Sequence, residues 1–244
     1  FSGQQSSQLI YMEKHHPEIL NKTKTAFHCK DWLYYKLTGI KATDPSESCF
    51  TFGNFRTQDY DENVITGLGL NKRKSLLPQI INGSKTNHSL TSEASKCLNL
   101  KSGIPVVLSY IDAVCTFLGS GGYDMNKDVG TSSLGTTSGH MKANLVSKIN
   151  PNIDLKSGYV MLLPIENIAL QFQTNMSGMI NMNWLMSFVS DIFKDFNIKF
   201  NEKKFLNKIE DWIEKTEPQK LIYHPYILLK YQYESCQIFH LKIY

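Results

Sequence analysis

The sequence predicts an α/β protein, and three stretches carry that reading. Residues 104–110 form a short apolar run rich in β-branched side chains, reached through Gly103 and Pro105, the composition of a strand covered on both faces. Within residues 169–174, Leu170 and Phe172 alternate with Gln171 and Gln173, which is the period of a half-buried strand. Residues 179–189 then place Ile180, Trp184 and Phe188 at i, i+4 and i+8, an amphipathic helix whose stripe reads as core.

The remaining elements follow from local chemistry. A helical pattern starts near Ser6, with Leu9, Ile10 and Met12 partly on one face. Pro17 suits the first position of a second helix. Residues 26–37 continue as helix until Gly39 ends it as a left-handed cap. Residues 43–57 read as a loop with turn formers at Asp44, Pro45 and Ser46, anchored to the core by Phe50, Phe52 and Phe55. Arg56 reads as a solvated charge, with a substrate-facing role as the alternative. Residues 60–70 read as helix, stopped at Gly67-Leu68-Gly69, and residues 91–98 as a short helix with Thr91 or Ser92 as cap and Glu93 in its first turn. A helix over residues 113–118 begins directly after Asp112 and is stopped by Gly119, Gly121 and Gly122. Residues 130–134 and 141–149 read as the arms of a hairpin, residues 158–164 as a further strand, and Asn175-Met176-Ser177-Gly178 as a polar turn. Phe205, Ile209, Trp212 and Ile213 mark a last helix.

Composition narrows the class. A chain of 244 residues with 41% hydrophobic content is long enough to bury a sizeable core, as one large domain or two modest ones. The net charge of +4 comes from lysines spread along the chain and thickest over residues 194–220, so no basic face for nucleic acid is forced. Cys29, Cys49, Cys97, Cys115 and Cys236 are an odd set with wide spacing and no C-x-x-C pair, which favours free thiols in a reducing compartment over a disulfide framework or a zinc site. His15, His16 and His28 do not pair on one helical face and read as surface or boundary residues rather than metal ligands. With no leader pattern and no apolar run of about 18 residues for a membrane span, the expected location is cytoplasmic, with no membrane partner.

The chemistry concentrates in residues 103–139. Asp112 follows the strand of residues 104–110, and ligands of open α/β sheets gather at strand ends. Downstream, Gly135-Thr136-Thr137-Ser138-Gly139 is a turn of small hydroxylated residues whose backbone N–H groups suit a phosphate. Each feature has a plain alternative: a helix cap for the acid, a simple hairpin for the turn. Together they fit phosphoryl transfer to an alcohol, with an acid that takes a hydroxyl proton and a loop that holds the phosphates.

At these residues the chain resembles the FGGY family of carbohydrate kinases, in which a G-x-P-V strand leads to a catalytic Asp and a G-T-S-G-like phosphate turn follows. Asp31-Trp32-Leu33-Tyr34-Tyr35-Lys36-Leu37-Thr38-Gly39 is similar to the family's D-[YW]-L-x-x-x-L-T-G, and Thr43-Asp44-Pro45-Ser46 to its T-D-x-S. Within the family, residues 29–57 are most similar to erythritol-type polyol kinases, with L-xylulose kinases second. A chaperone- or actin-like nucleotide binder without carbohydrate chemistry fits these upstream motifs less well.

The resemblance implies parts of two RNase-H-like, actin-type domains with a cleft between them. It implies residues 1–122 as the later part of a first domain, 123–227 as the early part of a second, and 228–244 as a divergent tail. It implies Asp112 as general base on a sugar or polyol hydroxyl, Gly135, Thr136, Thr137 and Ser138 as holders of the ATP phosphates, and Mg2+ bridging the phosphate oxygens. The last glycine of Thr137-Ser138-Gly139 stands one place late for G-T-S-G, so the phosphate-contacting amides stay open. The family's first phosphate loop is expected ahead of Phe1, and its G-E-R-x-P segment is expected where residues 228–234 instead read Leu-Leu-Lys-Tyr-Gln-Tyr-Glu. The chain therefore reads as the middle of such a kinase, a fragment inactive alone, with a truncated remnant that folds partly or binds sugar without turnover as the alternative. The identity of the sugar and the oligomeric state of the complete protein, homodimer included, are left open.

Overall fold

The computed structural model describes residues 4–122, 124, 127, 129–150, 158–175 and 178–217. Helices and short strands alternate through them, and the chain divides into two compact units. The first comprises residues 1–132 and 140–173, the second residues 133–139 and 174–244.

The first unit opens with α1 (Gln5–His15) and α2 (Pro17–Lys22), the latter with Pro17 in its first turn as expected. Helix α3 (Cys29–Thr38) starts later than its sequence pattern, because the Ala26 N–H donates to the Leu76 carbonyl at 2.8 Å and holds the preceding segment extended. Its end is the anticipated left-handed glycine: Gly39 has φ +74° and returns its N–H to Tyr35. Strand β1 (Ala42–Thr43) leads into α4 (Pro45–Thr51), followed by the hairpin strands β2 (Gly53–Asn54) and β3 (Asp59–Tyr60).

Helix α4 corrects the loop expected over residues 43–57. Asp44 is its N-cap, accepting from the Ser46 and Glu47 N–H groups, and Pro45 occupies the first turn, so the same residues that favour a turn here start a helix. Phe52 is fully buried beyond its end, as an anchor should be. Arg56 is structural rather than free: its guanidinium lies over the Phe55 ring and donates to the Ile149 carbonyl at 3.1 Å.

Helix α5 (Glu62–Gly67), a 3-10 turn (Asn71–Leu76), β4 (Gln79–Ile80), β5 (Asn87–Ser89) and α6 (Ser92–Leu98) follow. The Thr91 hydroxyl caps α6 by accepting from the Ala94 N–H. Strand β4 pairs in parallel with β1, Ala42 opposite Gln79 and Thr43 opposite Ile80. Strand β6 (Pro105–Val107) pairs antiparallel with β5.

Here the structure departs from the strand expected across residues 104–110. Only three residues are strand, and Val107 is 57% exposed while Val106 packs toward Tyr34, Ala42 and Leu108. A continuous apolar run does not distinguish two covered faces from one. Residues 108–111 then carry the chain into α7 (Asp112–Gly119), whose Val114 and Phe117 are fully buried.

A four-stranded sheet of order β7-β8-β10-β9 is formed by β7 (Thr131–Leu134), β8 (Ser138–Leu145), β9 (Tyr159–Leu162) and β10 (Ile168–Asn175). Strands β9 and β10 are antiparallel with Leu170 opposite Met161. The alternation expected there is only partial: Leu170 joins Tyr110, Val114, Phe117, Met141, Met161, Leu163 and Ile168 in the largest core cluster and Gln173 is exposed, but Ala169 is as buried as Leu170, and Gln171 and Phe172 are both half-buried. A second cluster gathers Leu9, Leu20, Phe52, Ile65, Leu70 and Leu76 under the first helices.

In the second unit, α8 (Ile180–Asp195) and α9 (Glu202–Glu214) lie where helices are expected. The stripe of α8 is not core: Trp184 and Phe188 stack on each other at 5.3 Å between ring centres and both are exposed. Periodicity reports that a helix has an apolar face, not what covers it. Met176 and Ser177 of the polar turn and the tail from residue 228 lie outside the described residues.

Candidate functional site

The first unit concentrates its buried charge around Lys30. This residue stands in the first turn of α3, and its Nζ donates to Asp31 Oδ1 at 2.7 Å and to Asp44 Oδ2 at 2.5 Å, with Glu47 Oε2 at 3.8 Å. The Asp31 and Asp44 side chains are 0% exposed. His28 closes the group, with Nδ1 at 3.2 Å from Asp31 and Nε2 at 3.4 Å from Glu47.

Burial pulls the Lys30 ammonium down, but Asp44 and Asp31 outweigh it and hold the lysine above its ordinary value. Burial likewise opposes ionisation of Asp31, yet the His28 hydrogen bond and the Lys30 charge bring its carboxyl below the usual range. Glu47 goes the other way: burial raises it, and the attraction of His28 and Lys30 does not compensate. The two upstream sequence motifs thus meet in one ionic cluster, with Asp31 from the first and Asp44 from the second. Sequence reading missed Lys30 and Glu47, although an Asp-Pro-Ser-Glu cap and a lysine beside an aspartate were legible as its parts.

From this cluster a hydrogen-bond chain runs to Asp112. The Ser46 hydroxyl donates to Asp44 Oδ1. It also accepts from the Ile111 N–H at 3.0 Å. Ile111 is the N-cap of α7 with φ −57° and ψ 150°, and its side chain caps nothing. Asp112 is the first residue of the helix, exposed, with Oδ1 accepting from the Ala113 N–H at 2.7 Å. The acid is therefore not the N-cap that its position allowed. Its carboxylate is presented to solvent on a backbone fixed from beneath.

The hydroxylated turn belongs to the second unit. The Gly135 N–H donates to the Thr137 carbonyl at 2.8 Å, so this amide is already engaged within the turn. Thr136 and Thr137 are exposed and Ser138 is buried. Ahead of α8, the Gly178 N–H donates to Thr136 at 3.0 Å and the Met179 N–H to Gly135 at 2.7 Å. A Cβ on Gly178 would stand 2.5 Å from the Gly135 carbonyl oxygen, which only glycine permits. A Cβ on Gly135 would meet the Thr137 carbonyl oxygen at 3.7 Å, an ordinary van der Waals contact.

A cavity of about 530 Å³ opens on the four-stranded sheet of the first unit, lined among others by Thr131, Ser132, His140, Tyr159, Gln171 and Phe172. Asp112 is not part of its wall. No group of three or more His, Cys, Asp or Glu side chains is arranged to hold a metal ion among the described residues, and no described helix is long and apolar enough to cross a membrane.

Comparison with known proteins adds an independent line. The chain is 43% identical over 224 residues to an erythritol kinase of Brucella abortus, covering 92% of this chain and 43% of that protein. It is 28% identical over 122 residues to an L-xylulose/3-keto-L-gulonate kinase of Escherichia coli, covering 50% of this chain and 24% of that one. The chain thus spans less than half the length of the curated relatives it matches. Among solved structures, ligand-bound xylulose kinase from Lactobacillus acidophilus superposes with a TM-score of 0.68 at 18% identity, over 86% of this chain and 40% of that one. Plasmodium falciparum glycerol kinase with ADP gives 0.66 at 16% identity over the same shares. These two likenesses show a shared mixed α/β fold. Residues 1–119 match the N-terminal domain of the FGGY family of carbohydrate kinases, and the chain belongs to that family.

Proposed function

We propose that this chain supplies the acceptor-activating part of an ATP-dependent kinase that phosphorylates a hydroxyl of a sugar or a short polyol of the erythritol class. The observation that carries the reading is Asp112, an exposed carboxylate at the first turn of α7 whose backbone is tied to a buried ionic cluster. In phosphoryl transfer little is asked of the protein beyond positioning and charge, plus one acid that accepts the acceptor's proton. Asp112 takes that role. Its Oδ1 accepts from the neighbouring amide, leaving Oδ2 for the substrate hydroxyl.

The 43% identity to an erythritol kinase supports a polyol acceptor. The assignment extends to two RNase-H-like domains with a cleft, divided as residues 1–122 and 123–227 with the tail at 228–244. Gly135, Thr136, Thr137 and Ser138 hold the β- and γ-phosphates of ATP. The exposed threonine hydroxyls fit that use. Mg2+ would supply neutralisation of the phosphate charge there.

The test grafts this chain into the Brucella erythritol kinase in place of its matching stretch. Coupled assays then follow ATP-dependent phosphorylation of erythritol, xylitol, L-xylulose and glycerol. Asp112→Asn is expected to lower kcat by roughly 10²–10⁴-fold with ATP affinity nearly unchanged. A variant that keeps more than about half of kcat, well outside that range, makes Asp112 only the start of a helix. The isolated 244-residue chain is expected to show no turnover, because the remaining share of the family's length carries the rest of the phosphate and sugar contacts.

A further inference from the structure

We propose that Ser46 is a positioning residue for Asp112, coupling the Lys30–Asp44 ion pair to the backbone that aims the reactive carboxylate. The proposal rests on the reading of Asp112 as general base. Asp112 itself is held by little: its side chain is exposed and its one described partner is the adjacent amide of Ala113. The direction of its Cα–Cβ bond is set by the backbone at Ile111. Val114 and Phe117 bury the body of α7 and fix its axis, but they lie two and five residues beyond the acid.

At Ile111 the N–H donates to Ser46 Oγ at 3.0 Å, across 65 residues of chain. A hydroxyl has one proton and two lone pairs. Ser46 commits its proton to Asp44 Oδ1, so its lone pairs face the Ile111 amide in one defined orientation. Asp44 is in turn anchored by Lys30 at 2.5 Å, and charge-assisted links of this kind polarise and stiffen one another.

The hydroxyl is not required for capping α4. Asp44 Oδ1 already accepts from the backbone N–H groups of Ser46 at 2.8 Å and Glu47 at 3.4 Å. Ser46 is wholly buried, so water cannot replace its lone pair at Ile111. What the side chain adds is the link to the acid.

Two arms test this. In the 244-residue chain, amide exchange is followed by NMR in the parent, Ser46→Ala and Ser48→Ala. Ser48 is a buried neighbour on α4 whose hydroxyl donates to Pro45 and has no described bond to Ile111. Ser46→Ala is expected to speed exchange at Ile111 by at least about tenfold, the loss of one buried hydrogen bond of roughly 1.4 kcal/mol, while the Val114 and Phe117 amides are unchanged. Unchanged exchange at Ile111, or an equal rise across α7, overturns the proposal.

In the grafted kinase, a misplaced general base costs kcat by roughly 10–100-fold. Ser46→Ala is expected to show that loss with both KM values within about twofold of the parent, and Ser48→Ala to keep the parent's kcat. Full kcat in Ser46→Ala alongside an inactive Asp112→Asn overturns the positioning role and leaves the general base standing. Full activity in Asp112→Asn instead removes the reading on which the proposal rests.

Discussion

Replacing Lys30 by methionine keeps the aliphatic stem and removes the only ammonium within 4.0 Å of three carboxylates among the described residues. Asp31 and Asp44 are fully buried, and breaking such a pair by deleting one partner costs about 3–5 kcal/mol. Lys30 is itself 24% exposed, which favours the lower end. An upper limit comes from protonation. The stranded site can relieve itself by neutralising one aspartate, at about 1.36 kcal/mol per pH unit above an ordinary value near 3.9, or about 4 kcal/mol at pH 7. The expected destabilisation is therefore about 3–4 kcal/mol at pH 7.

In a chain of this size that lowers Tm by about 6–16 °C. At pH 5 the same relief costs only about 1.5 kcal/mol, so the gap between Lys30→Met and the parent should shrink by half or more. The neutralised aspartate has a raised folded pKa, and the stability it contributes is present at low pH and lost as pH rises through that value. Thermal unfolding of the first unit, followed by exchange of its core amides at both pH values, measures the gap. A Lys30→Met protein that melts within about 2 °C of the parent at pH 7, less than 1 kcal/mol, or whose deficit is the same at pH 5, refutes the ionic account of the cluster.

Two further outcomes follow from the same residues and from the turn at Gly135. Asp31 is held low by His28 and Lys30 against its burial, so its contribution is present above the ordinary aspartate range and lost as pH falls through its folded value. Glu47 is pushed up by burial, so its ionisation opposes folding as pH rises. At pH 7 Asp31→Asn should destabilise and Glu47→Gln should be neutral or stabilising, the two converging in acid titrations; the reverse order removes the assigned directions. Separately, Gly178→Ala puts a methyl 2.5 Å from the Gly135 carbonyl oxygen and 2.6 Å from the Thr137 carbonyl carbon, both backbone atoms. The expected cost is about 1–3 kcal/mol, with faster exchange at the Gly178 and Met179 amides, and unchanged exchange counts against the close packing of turn and helix.

What the sequence made legible was local. Gly39 at φ +74°, the Thr91 cap and Pro17 in a first turn each depend on one residue's own conformational limits, and such limits do not wait on tertiary context. Residues 104–110 and the α8 stripe were read for what covers them, and that is decided elsewhere in the chain. Val107, Trp184 and Phe188 are all exposed, although a strand or helix would present the same pattern to a buried neighbour.

The candidate site shows the same division more sharply. Asp112 was legible because an acid beside an apolar run is a local pattern, and so was Asp44, as a turn former. That Asp44 caps a helix required only Pro45 and Glu47 to be weighed with it. That its carboxylate also takes the Ser46 proton, and that Ser46 in turn holds Ile111, joins positions 65 residues apart; no local propensity encodes this. A motif such as Thr43-Asp44-Pro45-Ser46 can therefore read as a plain turn while its side chains support an acid far along the chain. The two readings are separated by burial: Asp44 and Ser46 are fully enclosed, and a solvent-facing turn would leave both wet. An enclosed hydroxyl between a carboxylate and a remote amide has no water to replace it, which is why its removal should register at Ile111 rather than in α4.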